Sequence, residues 1–256
     1  MATVNSEIRR ILKDKDLAIR SGVESVMDLL KELQRQTLEE LGKAALGSWD
    51  AYHMKQVLDS IEIQISNFQA KAKAEAGGLL NDSWDKGQAL VYGPLNVGGI
   101  YTGFHLSTSV LDTLKDFTFH KIEGLSDAAW EKIRGKLTLG ILGGKTPQQV
   151  AEAIGKNLKD PSVFTSISRR AEVITKTEMG RAFSTAAELR MEDAAKNVPG
   201  MEKEWRHVGH PKVPRAMHLA ADGQTVPVNE PFNIGGVRMM YPRDPAAPID
   251  ETINCG

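Results

Sequence analysis

The chain has a single cysteine, Cys255, in 256 residues. That excludes an intramolecular disulfide framework and any zinc site needing two thiolates from one chain. No proline precedes Pro94, and seven of the eleven lie between Pro211 and Pro248. Proline cannot donate to a helix ladder, so this tail cannot continue the helices before it, and a boundary falls near Pro199-Gly200. No apolar run approaches the roughly 18 residues of a membrane span, and the first twenty residues lack the apolar stretch of a signal peptide, so neither export nor a membrane span is expected. Charge of one sign is missing as well: 32 Lys and Arg face 33 Asp and Glu. Non-specific nucleic-acid binding through overall charge is therefore excluded. Any DNA contact has to come from a local basic patch, for which Arg9, Arg10, Lys13, Lys15 and Arg20 are the residues available.

What is present is helical periodicity. Val23, Val26, Met27, Leu30, Leu33 and Leu41 recur among Lys, Glu, Arg and Gln, and Val57, Ile61, Ile65 and Phe68 form a second stripe. These stretches predict long amphipathic helices that pack as an antiparallel hairpin or offer a stripe to another subunit. Tyr92 to Gly103, with four glycines and a proline, reads as loop or short strand. Helical spacing returns at Thr108–Asp116, Ser126–Leu139 and Pro147–Leu158, the last opened by Thr146 as N-cap, Pro147 at the first helical position and Gln149 three residues after the cap. One more long helix runs from Val163 to Asn197. Beyond Met201 the period changes, and Gln224–Val228 and Gly236–Tyr241 read as short strands. The expected class is mainly α, with long amphipathic helices followed by a small α+β C-terminal module. The expected organisation is an N-terminal helical region over 1–93, a helical middle region over 94–199 and the module over 200–256.

Several motifs invite chemistry. Gly140-Ile-Leu-Gly-Gly-Lys-Thr146 carries the Gly-Lys-Thr of a phosphate loop, but Leu stands at 139 where glycine is needed, and the stretch follows a helix rather than a strand. His207, His210 and His218, with Cys255, supply metal-ligand types without a compact paired spacing, so no metal and no cofactor are expected. Arg215, His218 and Asp222 suit either a base with an anion-stabilising partner or a hydrogen-bonded turn network. No nucleophile elbow or metalloprotease helix accompanies them, which favours the turn network and leaves no catalytic residue assigned. Asp222-Gly223 is itself a hairpin-type turn signal. Tyr241-Pro-Arg-Asp-Pro245 reads as a rigid turn in which Asp244 caps local N–H groups. Glu178 falls on the apolar face of the 163–197 helix, so it is either paired, with Arg181 a ready partner, or functionally perturbed.

The order and spacing of Trp205, Arg215-Ala-Met-His218, Asp222-Gly223-Gln224, Pro231-Phe232, Tyr241-Pro-x-Asp-Pro245 and Ile253-Asn254-Cys255 closely resemble the C-terminal domain of phage Mu F-like head morphogenesis proteins. The family pattern has a Trp, an Arg-x-x-His, an Asp-Gly turn, a Tyr/Leu-Pro-Gly-Asp-Pro loop and a terminal Asn-Cys-Arg-Cys. Thr177-Glu178 and the stretch Gly144–Ile154 also look like the family's upstream pattern, so the resemblance covers about Thr138 to Cys255. Departures occur at Gly209-His210-Pro211, where the family often has Asp, and at the second Cys, which is absent. The resemblance implies a non-enzymatic minor head protein of a tailed bacteriophage, in the virion head near the portal vertex and in the host cytoplasm during assembly. It implies action in head morphogenesis and in DNA packaging or delivery. Expected partners are the portal protein, the major capsid or scaffolding protein, phage DNA through the local basic patch, and a second copy of the chain. Glu178, Trp205, Arg215, His218, Asp222, Gly223, Pro242, Asp244, Pro245, Asn254 and Cys255 are then structural residues of the motif. The competing reading is a small hydrolase or transferase-like C-terminal domain acting on nucleic acid or nucleotide, with His218 and Arg215 as its working residues.

Overall fold

The computed structural model describes residues 3–43, 51–100, 107–155, 157–158, 162–207 and 215–252. It is mainly α with a small α+β tail. In chain order the elements are α1 (Val4–Lys43), α2 (Ala51–Val97), α3 (Ser109–Leu142), α4 (Pro147–Ile154), α5 (Val163–Ala195), β1 (Glu202–Glu204), α6 (Ala216–Ala220), β2 (Thr225–Pro227), β3 (Phe232–Ile234), β4 (Val237–Met239) and α7 (Ile249–Thr252). The chain forms two compact units, one of Gly22–Gly77 with Asp116–Thr175, the other of Met1–Ser21, Gly78–Lys115 and Lys176–Gly256.

The first of these units is wholly helical among the described residues. Most of the stripe positions read from the sequence are its core: Val26, Leu30, Leu33 and Leu41 of α1 and Val57, Ile61, Ile65 and Phe68 of α2 are buried, with Ile133 and Leu137 of α3 and Phe164 and Ile167 of α5, while Val23 and Met27 are half-buried. Polar pairs tie neighbouring helices at the margin. Ser25 Oγ donates to Glu75 Oε1 at 2.6 Å, Lys73 Nζ meets Glu123 Oε1 at 2.5 Å, and Lys132 Nζ reaches Ser166 Oγ at 2.7 Å. The glycine-rich stretch before Thr146 is a helix stop followed by a helix start. Lys145 N donates to Gly140 O and Gly144 N to Ile141 O, the paired bonds of a Schellman cap, with Gly144 at φ +64. Thr146 then caps α4 through a full capping box with Gln149. A side chain on Gly140 would overlap Val150 Cγ2, so this glycine serves the close approach of α3 to α4 rather than a phosphate.

The second unit holds the N-terminal part of α1, the C-terminal part of α2, the start of α3, the second half of α5 and the tail. Leu80, Trp84, Leu111, Ala182 and Ala186 form one cluster; Val91, Ala187 and Ala194 form another. Small residues set the separation: a Cβ on Gly87 would overlap the Phe183 carbonyl and lie 2.9 Å from Ala186 Cβ. In the tail, β1 pairs antiparallel with β2 (Lys203 opposite Val226) and β3 with β4 (Asn233 opposite Arg238). Gly235 and Gly236, at φ +60 and +93, make the two-residue β3–β4 turn that only such residues adopt without strain. Trp205, Ala221, Phe232, Ile234 and Met239 close the tail's own small core.

Three expectations change. Tyr92 to Val97 is helix, not loop or strand. Pro94 sits near the C-terminal end, where it forfeits one ladder bond, and α2 ends at a second Schellman cap, with Ile100 N on Leu95 O and Gly99 N on Asn96 O. The stretches Thr108–Asp116 and Ser126–Leu139 are one helix, α3, continuous through Phe117–Leu125. Asp222-Gly223 does not close a hairpin: it leads from α6 into β2, whose partner β1 lies on the other side of α6 in the chain.

Candidate functional site

The second half of α5 is buried on nearly every side yet rich in polar groups. Glu178, Arg181, Thr185 and Glu188 follow one another at intervals of three, four and three, so they line one face of the helix. That face meets the tail. Arg181 donates through Nη1 to Glu178 and through Nε to the Arg243 carbonyl at 3.4 Å. Thr185 Oγ1 donates to the Tyr241 hydroxyl at 3.4 Å. Glu188 accepts from Lys203 Nζ, which also donates to the Met240 carbonyl at 2.8 Å and lies 5.4 Å from the Phe232 ring centroid. Glu178 is 2% exposed and Arg181 5%, so this is a charged seam without access to solvent. Such pairs are costly to bury and costlier to break singly.

The Tyr241–Pro245 turn is held by Asp244, whose Oδ2 accepts from Met240 N at 2.8 Å and Oδ1 from Ala246 N at 2.9 Å. Asp244 is buried, while Pro242 and Pro245 flank it on the surface. Arg243 occupies the left-handed region at φ +66, with its guanidinium packed against Gly180 of α5. Burial pushes the Glu188 carboxyl up to about 7 against the pull of Lys203, with Glu192 and Asp244 adding repulsion. Burial also raises the Tyr241 phenol above its ordinary range. It lowers the Lys15 ammonium, which lies 5.5 Å from the Phe183 ring centroid, although Asp16 opposes that shift.

A smaller cluster fixes the end of the tail. Trp205 meets His218 edge-on at 5.8 Å and Phe232 at 5.3 Å. His218 Nε2 lies 3.2 Å from Glu251 Oε2, and Arg215 Nη1 reaches the same carboxylate at 3.7 Å. Asp222 does not join them. Its Oδ1 accepts from His207 N at 2.9 Å, and Gly223, at φ +82, donates its N–H to the Trp205 carbonyl at 2.8 Å. The expected Arg215–His218–Asp222 group is thus replaced by Arg215, His218 and Glu251. Asn254, Cys255 and His210 lie outside the described residues. Among the described residues no three His, Cys, Asp or Glu side chains are grouped to hold a metal ion.

The basic patch is partly neutralised within α1. Arg10 bridges Glu7 at 2.7 Å and Asp14 at 2.8 Å, and the half-buried Lys15 meets Asp16 at 3.1 Å, while Arg9, Lys13 and Arg20 are exposed. Among the described residues no helix is long and apolar enough to cross a membrane.

Sequence reasoning did not single out Glu188, Lys203, Arg243 or Glu251 as site residues. The polar series at 178, 181, 185 and 188 was the available signal for the first. Lys203 and Glu251 find their partners only through the tertiary fold.

The chain is 31% identical over 153 residues to a protein of Bacillus subtilis (strain 168), YqbB, whose own function is uncharacterised; the match covers 59% of this chain and 47% of that relative. The chain therefore spans about half the length of the curated relative it matches. No solved structure matches it. The family described as phage Mu protein F like protein matches residues 131–255, a segment that takes in the C-terminal third of α3, all of α4 and α5 and the seam with the tail. The chain carries, over those residues, a phage Mu F-like region.

Proposed function

We propose that the chain is a minor head protein of a tailed bacteriophage, located in the virion head at the portal vertex and acting in head morphogenesis and in DNA packaging or delivery. The phage Mu F-like region, which marks phage head morphogenesis proteins, supports the first part. The observation that carries the non-enzymatic reading is how the motif residues are used: Glu178, His218, Asp222, Gly223 and Asp244 each hold backbone or a neighbouring side chain. Function then lies in surfaces. The portal protein is the first partner, with capsid or scaffolding protein further candidates. Within the basic patch the exposed Arg10 is bridged to Glu7 and Asp14, which leaves Arg9, Lys13 and Arg20 to face DNA, so DNA contact is secondary.

The test is co-expression of the full chain with the portal protein of the same phage, followed by size-exclusion chromatography with light scattering and nuclease treatment. A stable, nuclease-resistant complex is expected, together with labelling of a single vertex by immunogold on intact heads. A chain that never associates with portal, and whose purified form hydrolyses nucleic acid or nucleotide in a manner abolished by His218→Ala, would overturn the proposal in favour of a hydrolase.

A further inference from the structure

We propose that Glu188 is a proton-operated latch between α5 and the tail: β1 and the turn after Met240 sit tightly on α5 when this carboxyl is protonated, and their hold loosens when it ionises.

The geometry is that of a carboxyl with too little to offset a charge. Glu188 is 2% exposed, and only one of its oxygens is engaged, by Lys203 Nζ. The other, Oε2, is buried with no hydrogen-bond partner. An ionised carboxylate offers about four lone-pair sites, so leaving one oxygen unsatisfied in an apolar setting is costly. The groups facing it add to that cost. From α5 itself comes Glu192, one turn on and exposed, which repels a charge on Glu188. From the turn comes Asp244, which accepts from the N–H groups of Met240 and Ala246 and repels a charge on Glu188. Tyr241 from the same turn is neutral, and its hydroxyl is engaged by Thr185. From β1 comes Lys203, whose ammonium is shared between Glu188 and the Met240 carbonyl. Arg181, further back on α5, is engaged by Glu178 and the Arg243 carbonyl. One ammonium therefore faces three carboxyl groups, and Glu188, the one with a buried oxygen that nothing satisfies, takes up the proton.

The two elements that would move are those contacting this carboxyl or its repelling neighbour. Lys203 is the central residue of β1, and Asp244 holds the turn that follows Met240. Ionising Glu188 sets it against Asp244 and pushes that turn off the helix. The sign follows from proton linkage: burial has raised this carboxyl to about 7, above its value in an unfolded chain, so the stabilisation is complete in acid and lost as pH rises through neutrality.

Hydrogen exchange of the full chain, corrected for intrinsic rates and compared at pH 6 and pH 8, tests this. Protection of peptides spanning 202–204 and 240–246 should fall about tenfold at pH 8 relative to pH 6, while α2 is unchanged. In Glu188→Gln, which has the same shape and cannot ionise, protection should be the same at both values. Equal pH responses in wild type and variant would overturn the latch, as would tighter protection of wild type at pH 8. A carbon-detected titration of Glu188 in the wild-type chain gives an answer that does not depend on the variant folding: an apparent pKa below 6 also overturns it.

Discussion

The guanidinium of Arg243 lies where a side chain on Gly180 would have to go: a Cβ built at that glycine overlaps Cζ, Nη1 and Nε. The family pattern has glycine at the position of Arg243, and the backbone there keeps the glycine-like value of φ +66. The chain therefore bears left-handed strain at one residue and an empty Cβ position at the other, and the two are coupled. Gly180→Ala in a helix would ordinarily stabilise by roughly 0.5–1 kcal/mol. Here it should destabilise by about 1–2 kcal/mol because a buried guanidinium must be displaced. Arg243→Gly relieves the strain and frees the space, so in the double variant Gly180→Ala should regain its usual sign. Chemical denaturation of the four proteins measures the coupling, and additive effects within a few tenths of a kcal/mol would show the two residues to be independent.

The β3–β4 turn separates conformational strain from crowding. Gly235 and Gly236 both have positive φ, but only Gly235 has a close neighbour, Met217 Cβ, 2.8 Å from where its own Cβ would be. Gly236→Ala should cost about 1 kcal/mol from backbone strain alone. Gly235→Ala should cost about 1 kcal/mol more, and Met217→Gly, which alone removes the crowding Cβ, should abolish that excess while leaving the cost at Gly236 unchanged, with Met217→Ala relieving only the Sδ and Cγ contacts. Equal losses at the two glycines, measured by thermal melting, would mean that the Met217 contact carries no weight.

How much of this was legible depended on whether a feature is local. Val57, Ile61, Ile65 and Phe68 were readable as a buried stripe because helical period alone fixes which side chains share a face, and all four are buried. Thr146 was readable as a cap because both halves of its capping box lie within four residues. The end of α2 was not. Gly87, Gly93 and Pro94 resemble breakers, yet the glycines serve close approach, to Phe183 and Ala186 in one case and to Glu7 and Ile11 in the other. In the site, Glu178 and Arg181 were legible as neighbours one turn apart, whereas Glu188 with Lys203 and His218 with Glu251 depend on how the tail folds back.

Thr146 discriminates two readings of the Gly-Lys-Thr stretch. Its hydroxyl accepts from Gln149 N at 3.3 Å, and Gln149 Oε1 accepts from Thr146 N at 2.9 Å. Thr146→Ala should therefore cost about 1 kcal/mol of stability, and Thr146→Ser much less. A phosphate loop would instead show a melting temperature raised by millimolar nucleotide with magnesium, and lost in Lys145→Met. No such shift is expected, because Lys145 N and Gly144 N are committed to the α3 cap.

His218 joins the tail's core to its last described helix: one edge of the ring packs against Trp205 and Nε2 reaches Glu251 of α7. His218→Ala removes both and should destabilise the tail by about 2 kcal/mol, from lost aromatic packing and a lost hydrogen bond to a charged group. His218→Phe keeps the packing and should recover roughly half. Glu251→Gln leaves the ring in place and weakens its polar contact, as well as the 3.7 Å contact of Arg215 with the same carboxylate. Exchange at Gly223 N and Trp205 N, which bond across the turn beside β1, reports this locally. Both amides should lose protection in His218→Ala while α5 amides keep theirs. Uniform loss across α5 and the tail would mean that the cluster stabilises the entire unit rather than the tail. Full protection with loss of a hydrolytic activity would make His218 a working residue of the rival enzyme.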